Sequence, residues 1–185
     1  DRSNVIEVVR IGRNLGAEIC NLDLSQPLTE NEFAVVHRAF LEHEVLVLRN
    51  QNIEAPNQLA FGRLFGELSI HPFSPNLDGM PELIVLDNHR DNPPRLTDQW
   101  HSDETFREAP PMATILRSTI TPSLGGDTMF ASMSAAYEGL SDEMQHFISG
   151  LEGIFDFKPF RTLFGNDEDS KKRLREIEDE HPVRT

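Results

Sequence analysis

Two short apolar runs, Val45-Leu46-Val47-Leu48 and Leu83-Ile84-Val85-Leu86, constrain the fold of this chain more than any other feature. Each is too brief for a helix burying a stripe over several turns, and each carries β-branched residues. They read as buried strands. Residues 5–9 and 17–20 read as two further strands, separated by a turn region over 12–16. Residues 112–117 and 128–131 are expected as strands on either side of the Gly125-Gly126 turn.

Helical signals lie between these runs. Thr29-Glu30-Asn31-Glu32 has the form of a capping box. Phe33, Val36, Phe40 and Leu41 follow at helical spacing as one apolar stripe, with His37 beside it as a core-edge histidine. Pro56 opens a second helix that turns Ala60, Phe61, Leu64 and Phe65 inward and stops at Gly66. Ser141 caps a third, with Met144, Phe147, Ile148 and Leu151 on one face and His146 off it. Residues 155–165 are aromatic and interrupted by Pro159, and residues 166–180 are expected as a solvated charged helix or a mobile insertion. The polar, proline-rich stretch 88–98 reads as a long loop, of the kind that often serves as a lid. With no internal repeat and no linker, residues 1–185 are expected to be a single domain, mainly β with helical decoration, an α+β chain.

Charge removes one class of partner. With 31 acidic against 17 basic residues the net charge is −14, so a polyanion such as nucleic acid is repelled. No apolar run approaches the ~20 residues of a membrane span, so no membrane partner is expected. The chain shows no signal peptide and no initiator Met, so Asp1 is not expected to be the natural start. The lone cysteine, Cys20, rules out an internal disulfide and fits a reducing, cytoplasmic setting, either as a small buried hydrophobe or as a free thiol. A homo-oligomer is left open.

The chemistry concentrates in Gln99-Trp100-His101-Ser102-Asp103-Glu104-Thr105-Phe106. In a strand, residues two apart project from one face, so His101 and Asp103 would stand together with Trp100 and Ser102 opposite. An imidazole and a carboxylate are two of the three ligands in the facial triad of non-haem Fe(II) oxygenases, which leaves positions open for cosubstrate and dioxygen. The same spacing also fits a solvated strand end or a structural His–Asp hydrogen bond.

Trp100-His101-Ser102-Asp103-Glu104-Thr105-Phe106 resembles the W-H-[ST]-D-x-[ST]-F signature of the taurine dioxygenase (TauD/TfdA-like) family of Fe(II)/2-oxoglutarate-dependent oxygenases. Phe65-Gly66-Glu67-Leu68 with His71-Pro72, Leu83-Ile84-Val85-Leu86-Asp87, Asp91-Asn92-Pro93-Pro94, Pro110-Pro111 and Gly125-Gly126-Asp127-Thr128 follow in the family's order. Ala135-Ala136-Tyr137-Glu138 and His181-Pro182-Val183-Arg184-Thr185 extend the likeness over essentially the whole chain. The resemblance implies a double-stranded β-helix, the jelly-roll or cupin-like fold, incomplete here. It implies His101 and Asp103 as metal ligands and catalytic residues, with Fe(II) as cofactor, 2-oxoglutarate as cosubstrate and O2 as oxidant. The family's distal His and its 2-oxoglutarate-binding Arg both lie past the position of Thr185, so the native polypeptide is expected to continue.

Thr128 matches the position whose hydroxyl meets the 2-oxoglutarate carboxylate; the alternative is a plain strand threonine. His71 matches a position that touches the substrate's anionic head in taurine-oxidising members, against a loop histidine capping local structure. Ser74 stands where those members have a tyrosine, and Arg95-Leu96-Thr97 offers no counterpart to their asparagine, so taurine itself is not the expected substrate. A sulfonate, sulfate ester or aryloxyacid is. Phe155, Phe157 and Phe160 are candidates either for the substrate wall or for ordinary core. The implied reaction is hydroxylation of this small organic acid with release of succinate and CO2.

Two other readings compete. A cupin-like binding protein could keep the fold without a complete metal site, which the missing third ligand favours. A zinc hydrolase could use His101 and Asp103, but such sites draw three protein ligands and no suitable His pair sits nearby.

Overall fold

Strands β1 (Glu7–Arg10) and β2 (Ala17–Cys20) pair antiparallel, with Val8 opposite Ile19 and Arg10 opposite Ala17. A short strand β3 (Leu46–Val47) then adds to β2 in parallel, giving the order β1-β2-β3. Parallel neighbours require a crossover, and helix α1 (Glu30–His43) supplies it. The structure, a computed structural model, describes residues 5–72, 74, 76–89, 91 and 99–183. It divides into two compact units, Asp1–Leu68 with Ile115–Ser149 and Ser69–Thr114 with Gly150–Thr185.

In the first unit, the capping box closes as the sequence predicts. Glu32 N–H donates to Thr29 Oγ1 at 3.3 Å, and Thr29 N–H donates back to Glu32 Oε2 at 2.7 Å. Two orphan amides at the helix start are thereby satisfied. The inward face of α1 carries Val36 and Ala39, which join Ile19, Leu24 and Phe61 in the core. Full burial of a side chain such as Val36 or Ile19 stabilises by about 1.5–3 kcal/mol. Helix α2 (Ala55–Arg63) carries Pro56 in its first turn and buries Leu59, Phe61 and Gly62. The chain then turns at Gly66, whose φ of +144° suits a residue without Cβ. Phe65 packs edge-on against Phe33, Phe40 and Phe61, and the His37 ring lies 5.6 Å from Phe33, at the core edge.

Helices α3 (Met133–Glu138) and α4 (Asp142–Ile148) complete this unit. Ser132 caps α3, accepting from Ala135 N–H at 3.1 Å and donating to Glu44 Oε1 at 2.9 Å. Ser141 caps α4 as expected. The expected buried face is not buried, with Met144 47% and Phe147 68% exposed, and α4 ends at Ile148, so Leu151 lies beyond it. Among the described residues nothing covers it. Leu41 (63% exposed) likewise drops out of the α1 stripe, and Ala60 and Leu64 lie on the exposed side of α2.

The second unit holds a hairpin of β4 (Asn76–Leu77) and β5 (Met80–Ile84) turning at Gly79, φ +73°. The run 83–86 is therefore no buried strand: β5 ends at Ile84, and Val85 and Leu86 are exposed. A two-stranded ribbon has too few neighbours to bury it. Nor is β3 buried as a central strand would be; it is a half-buried edge.

The core of this unit is Phe106, Phe157 and Ile177, with Phe160, Phe164 and Leu174 packed on it. Its helix α5 (Glu168–Glu180) is capped by Asp167, which accepts from Ser170 N–H at 2.9 Å and from Ser170 Oγ at 2.7 Å. The segment expected as a solvated helix or a mobile insertion is thus a helix, and it departs from the expectation by burying Ile177 completely.

Residues 112–117 and 128–131 are not strands. An apolar segment becomes a strand only when a neighbour takes its ladder hydrogen bonds, and among the described residues none does. Helices consequently outweigh strands in the described residues; the mixed α and β character stands, and the β-rich weighting does not. Most of the 88–98 loop lies outside the described residues, as do Phe73, Pro75 and the final Arg184-Thr185.

Candidate functional site

His101 and Asp103 do converge, though not by the pleat of a strand. Residues 99–102 have no regular structure, and a turn begins at Asp103. Glu104 then takes φ +48°, a left-handed conformation rare for a residue with a side chain. Hydrogen bonds replace the pleat as the aligning force. His101 Nδ1 lies 2.7 Å from the Gln99 carbonyl, and Thr114 Oγ1 donates to Asp103 Oδ2 at 2.7 Å. The remaining donor atoms, His101 Nε2 and Asp103 Oδ1, are left 3.4 Å apart. Both side chains are about half exposed, so solutes reach them. Trp100, expected on the opposite face, is 69% exposed.

The Gln99 carbonyl can only accept, so Nδ1 carries the proton and the neutral ring presents a lone pair at Nε2. That lone pair faces a carboxylate oxygen. Two electron-rich atoms at this distance repel unless a cation bridges them, either a proton on Nε2 or a metal ion. Nitrogen and oxygen donors bound at right angles, each about 2.1 Å from one ion, lie roughly 3 Å apart. The pair therefore fits a divalent cation by donor chemistry and spacing. Among the described residues no third His, Cys, Asp or Glu joins it.

His71 lies in the same unit and is half-buried. Its Nδ1 accepts from Ser74 N–H at 3.2 Å, which leaves Nε2–H as donor in the neutral ring. Burial holds its pKa below the usual imidazole value. The charges of Glu104, Arg107 and Asp103 act on it in opposing directions. His71, His101 and Asp103 thus belong to one neighbourhood. Phe157 is core, 2% exposed, with its ring 5.2 Å from Phe106. It also lines a shallow groove of about 90 Å³ with Arg161, Glu178 and His181. Phe160 is half-buried against Phe106 and Phe157, whereas Phe155 is exposed. Thr128 belongs to the first unit and is exposed.

Sequence reasoning missed Thr114 and the partly buried Glu104–Arg107 ion pair. The latter has a local signal, opposite charges three residues apart. Thr114 has none, because its contact depends on the chain returning after eleven residues.

A solvent-accessible imidazole–carboxylate pair supplies two of the three donor types found in the non-haem metal oxygenases. The chain belongs to the taurine catabolism dioxygenase TauD, TfdA family, whose pattern matches residues 7–185. It is similar to an alpha-ketoglutarate-dependent sulfate ester dioxygenase of Pseudomonas putida, 32% identical over 96% of this chain and 61% of the relative. An alkylsulfatase of Acinetobacter baylyi is also 32% identical, over 96% of this chain and 58% of that protein. Among solved structures, a taurine dioxygenase from Burkholderia xenovorans superposes with TM-score 0.73 at 34% identity, covering 82% of this chain and 54% of the other. The chain thus spans about three-fifths of the length of the curated relatives it matches. No helix among the described residues is long and apolar enough to cross a membrane.

Proposed function

We propose that this chain carries two of the three metal ligands of an Fe(II)- and 2-oxoglutarate-dependent dioxygenase that hydroxylates a small organic anion. The observation that carries this reading is the pair His101 Nε2 and Asp103 Oδ1 at 3.4 Å, each side chain held by a hydrogen bond through its other polar atom. When bound, iron with 2-oxoglutarate and O2 supplies the oxidant that converts a substrate C–H to C–OH as 2-oxoglutarate becomes succinate and CO2. His101 and Asp103 hold the metal. Half exposure of the pair leaves room for cosubstrate and substrate on the open side. His71 offers Nε2–H to the anionic head, and similarity to a sulfate ester dioxygenase and to an alkylsulfatase favours a sulfate-like head. Thr128 meets the 2-oxoglutarate carboxylate, and Phe157 with Phe160 walls the apolar part of the substrate, roles carried by resemblance.

In this reading the chain forms part of a single catalytic domain with the double-stranded β-helix fold. The third ligand and the carboxylate-binding Arg come from sequence beyond Thr185, which the three-fifths coverage of relatives supports. A free, half-buried Cys20 suits a cytoplasmic setting. The absence of a third donor among the described residues also favours a second reading, a cupin-like binding protein without turnover.

Metal analysis and succinate production on the whole protein decide between them. The enzyme reading expects about one Fe(II) per chain and loss of both metal and succinate in Asp103→Ala. Wild-type succinate from that variant would remove Asp103 from the site, and a metal-free wild type without turnover would leave the binding protein.

A further inference from the structure

The loop carrying His71 is held on both sides by arginines that sequence reasoning assigned no role. Arg107 Nη2 donates to the Ile70 carbonyl at 3.0 Å, and Arg173 Nη2 donates to the Pro72 carbonyl at 3.0 Å. These are the carbonyls of the residues before and after His71. Arg107 is itself anchored: its Nε pairs with Glu104, which also accepts from Ser69 Oγ at 3.4 Å, and its guanidinium lies 5.8 Å from the Phe106 ring centroid. The ion pair is mostly buried, with side chains 22% and 11% exposed. Glu104 follows Asp103 directly, so the anchor is rooted in the metal motif itself. Arg173 stands on α5, with its Nη1 3.8 Å from Glu176.

We propose that Arg107 and Arg173 are positioning residues for substrate selection. They clamp the main chain on either side of His71 and so fix where its imidazole meets the anionic head. The charged helix α5 then has a purpose beyond solvation: it brings the second arm of the clamp to a loop 101 residues earlier in the chain. The proposal rests on the reading of His71 as the anion contact. Arg107 must bond Glu104 through Nε and Ile70 through Nη2 at once, a fork that a lysine ammonium cannot span. Arg173 uses a single nitrogen toward Pro72, which a lysine can reproduce.

The test uses the whole protein carrying Arg107→Gln, Arg107→Lys, Arg173→Gln, Arg173→Lys and His71→Ala, with hexyl sulfate as substrate probe. Two readouts are taken: amide hydrogen exchange at residues 69–71 and 74, and KM for hexyl sulfate set against kcat and the KM for 2-oxoglutarate. Loss of a hydrogen bond to a charged group speeds loop exchange by about 3- to 10-fold, the lower bound allowing for solvent. Both glutamine variants are expected to show this, with KM for hexyl sulfate raised by a similar factor and, for Arg173→Gln, which does not contact Glu104, KM for 2-oxoglutarate unchanged. Arg173→Lys is expected to recover, and Arg107→Lys is not. If His71→Ala raises the KM but neither glutamine variant alters exchange or KM, the clamp is overturned. If His71→Ala leaves the KM unchanged, the His71 reading falls and the proposal with it.

Discussion

Replacing Ile177 by Ala tests whether α5 belongs to the core or to the solvent. Ile177 is 0% exposed and shares its cluster with Phe106 and Phe157. The substitution deletes Cγ1, Cγ2 and Cδ1, which at about 0.8 kcal/mol per buried carbon removes about 2.4 kcal/mol of transfer free energy. The space left behind adds a cavity cost, and such core truncations fall at about 2–5 kcal/mol in all. Alanine returns up to roughly 0.5 kcal/mol of helix propensity. The net expected loss is therefore about 3 kcal/mol. With an m-value near ~2 kcal/mol/M, the urea midpoint should fall by about 1.5 M. Equilibrium unfolding followed by far-UV circular dichroism measures it. Lys172→Ala serves as control, because the Lys172 ammonium is exposed and 3.9 Å from Glu176, a pair worth at most about 0.5 kcal/mol. A midpoint shift for Ile177→Ala no larger than the control's would refute the packing argument and restore a solvated α5.

The other predictions bear on the site and on the helix caps. Thr114→Val should weaken metal affinity about tenfold by freeing Asp103 Oδ2, whereas Thr114→Ser should keep it; titration of the whole protein with Co(II) reads both directly. The His71 ring should titrate below the usual ~6.5, because burial favours its neutral form. The unfolded chain then takes up the proton first, so this contribution to stability is complete above ~6.5 and is lost as pH falls toward the depressed folded value. Proton NMR of the imidazole checks the direction, and a value above ~6.5 would contradict it. Thr29→Ala should cost about 1 kcal/mol by opening the capping box. It should also return Glu32 only part of the way toward the ordinary carboxylate range, since the Thr29 amide, the larger cause of the lowered pKa, is kept and only the hydroxyl's hydrogen bond is lost.

Features set by neighbours in sequence were legible in advance. The capping box at Thr29, Pro56 in the first turn of α2 and the antiparallel pair of β1 and β2 depend on neighbours close in sequence. The failures share a different cause. Residues 112–117 carry strand-forming side chains but have no ladder partner among the described residues, and the α4 face has no covering element there. Periodicity reports that a segment has an apolar side, never what meets it. The site repeats this lesson: i, i+2 spacing anticipated the meeting of His101 and Asp103 but attributed it to a strand pleat. The chain instead aligns them through a carbonyl two residues back and a hydroxyl eleven residues on. Composition misled over α5, where a highly charged stretch hides one fully buried isoleucine.

The two units are interleaved along the chain, and this governs the order in which the molecule can be born. The second unit is begun by Ser69–Thr114, abandoned while Ile115–Ser149 is made for the first, and resumed at Gly150. At about 5–20 residues per second, that detour lasts roughly two to seven seconds. Throughout it Phe106, which ends 2% exposed in the finished fold, is already synthesised, whereas its core partners Phe157 and Ile177 do not yet exist. The nascent chain therefore carries Phe106, close to the His101–Asp103 pair, before its core partners are made. Any fragment ending between residues 115 and 149 keeps Phe106 with no core to enter, and no single cut releases either unit whole.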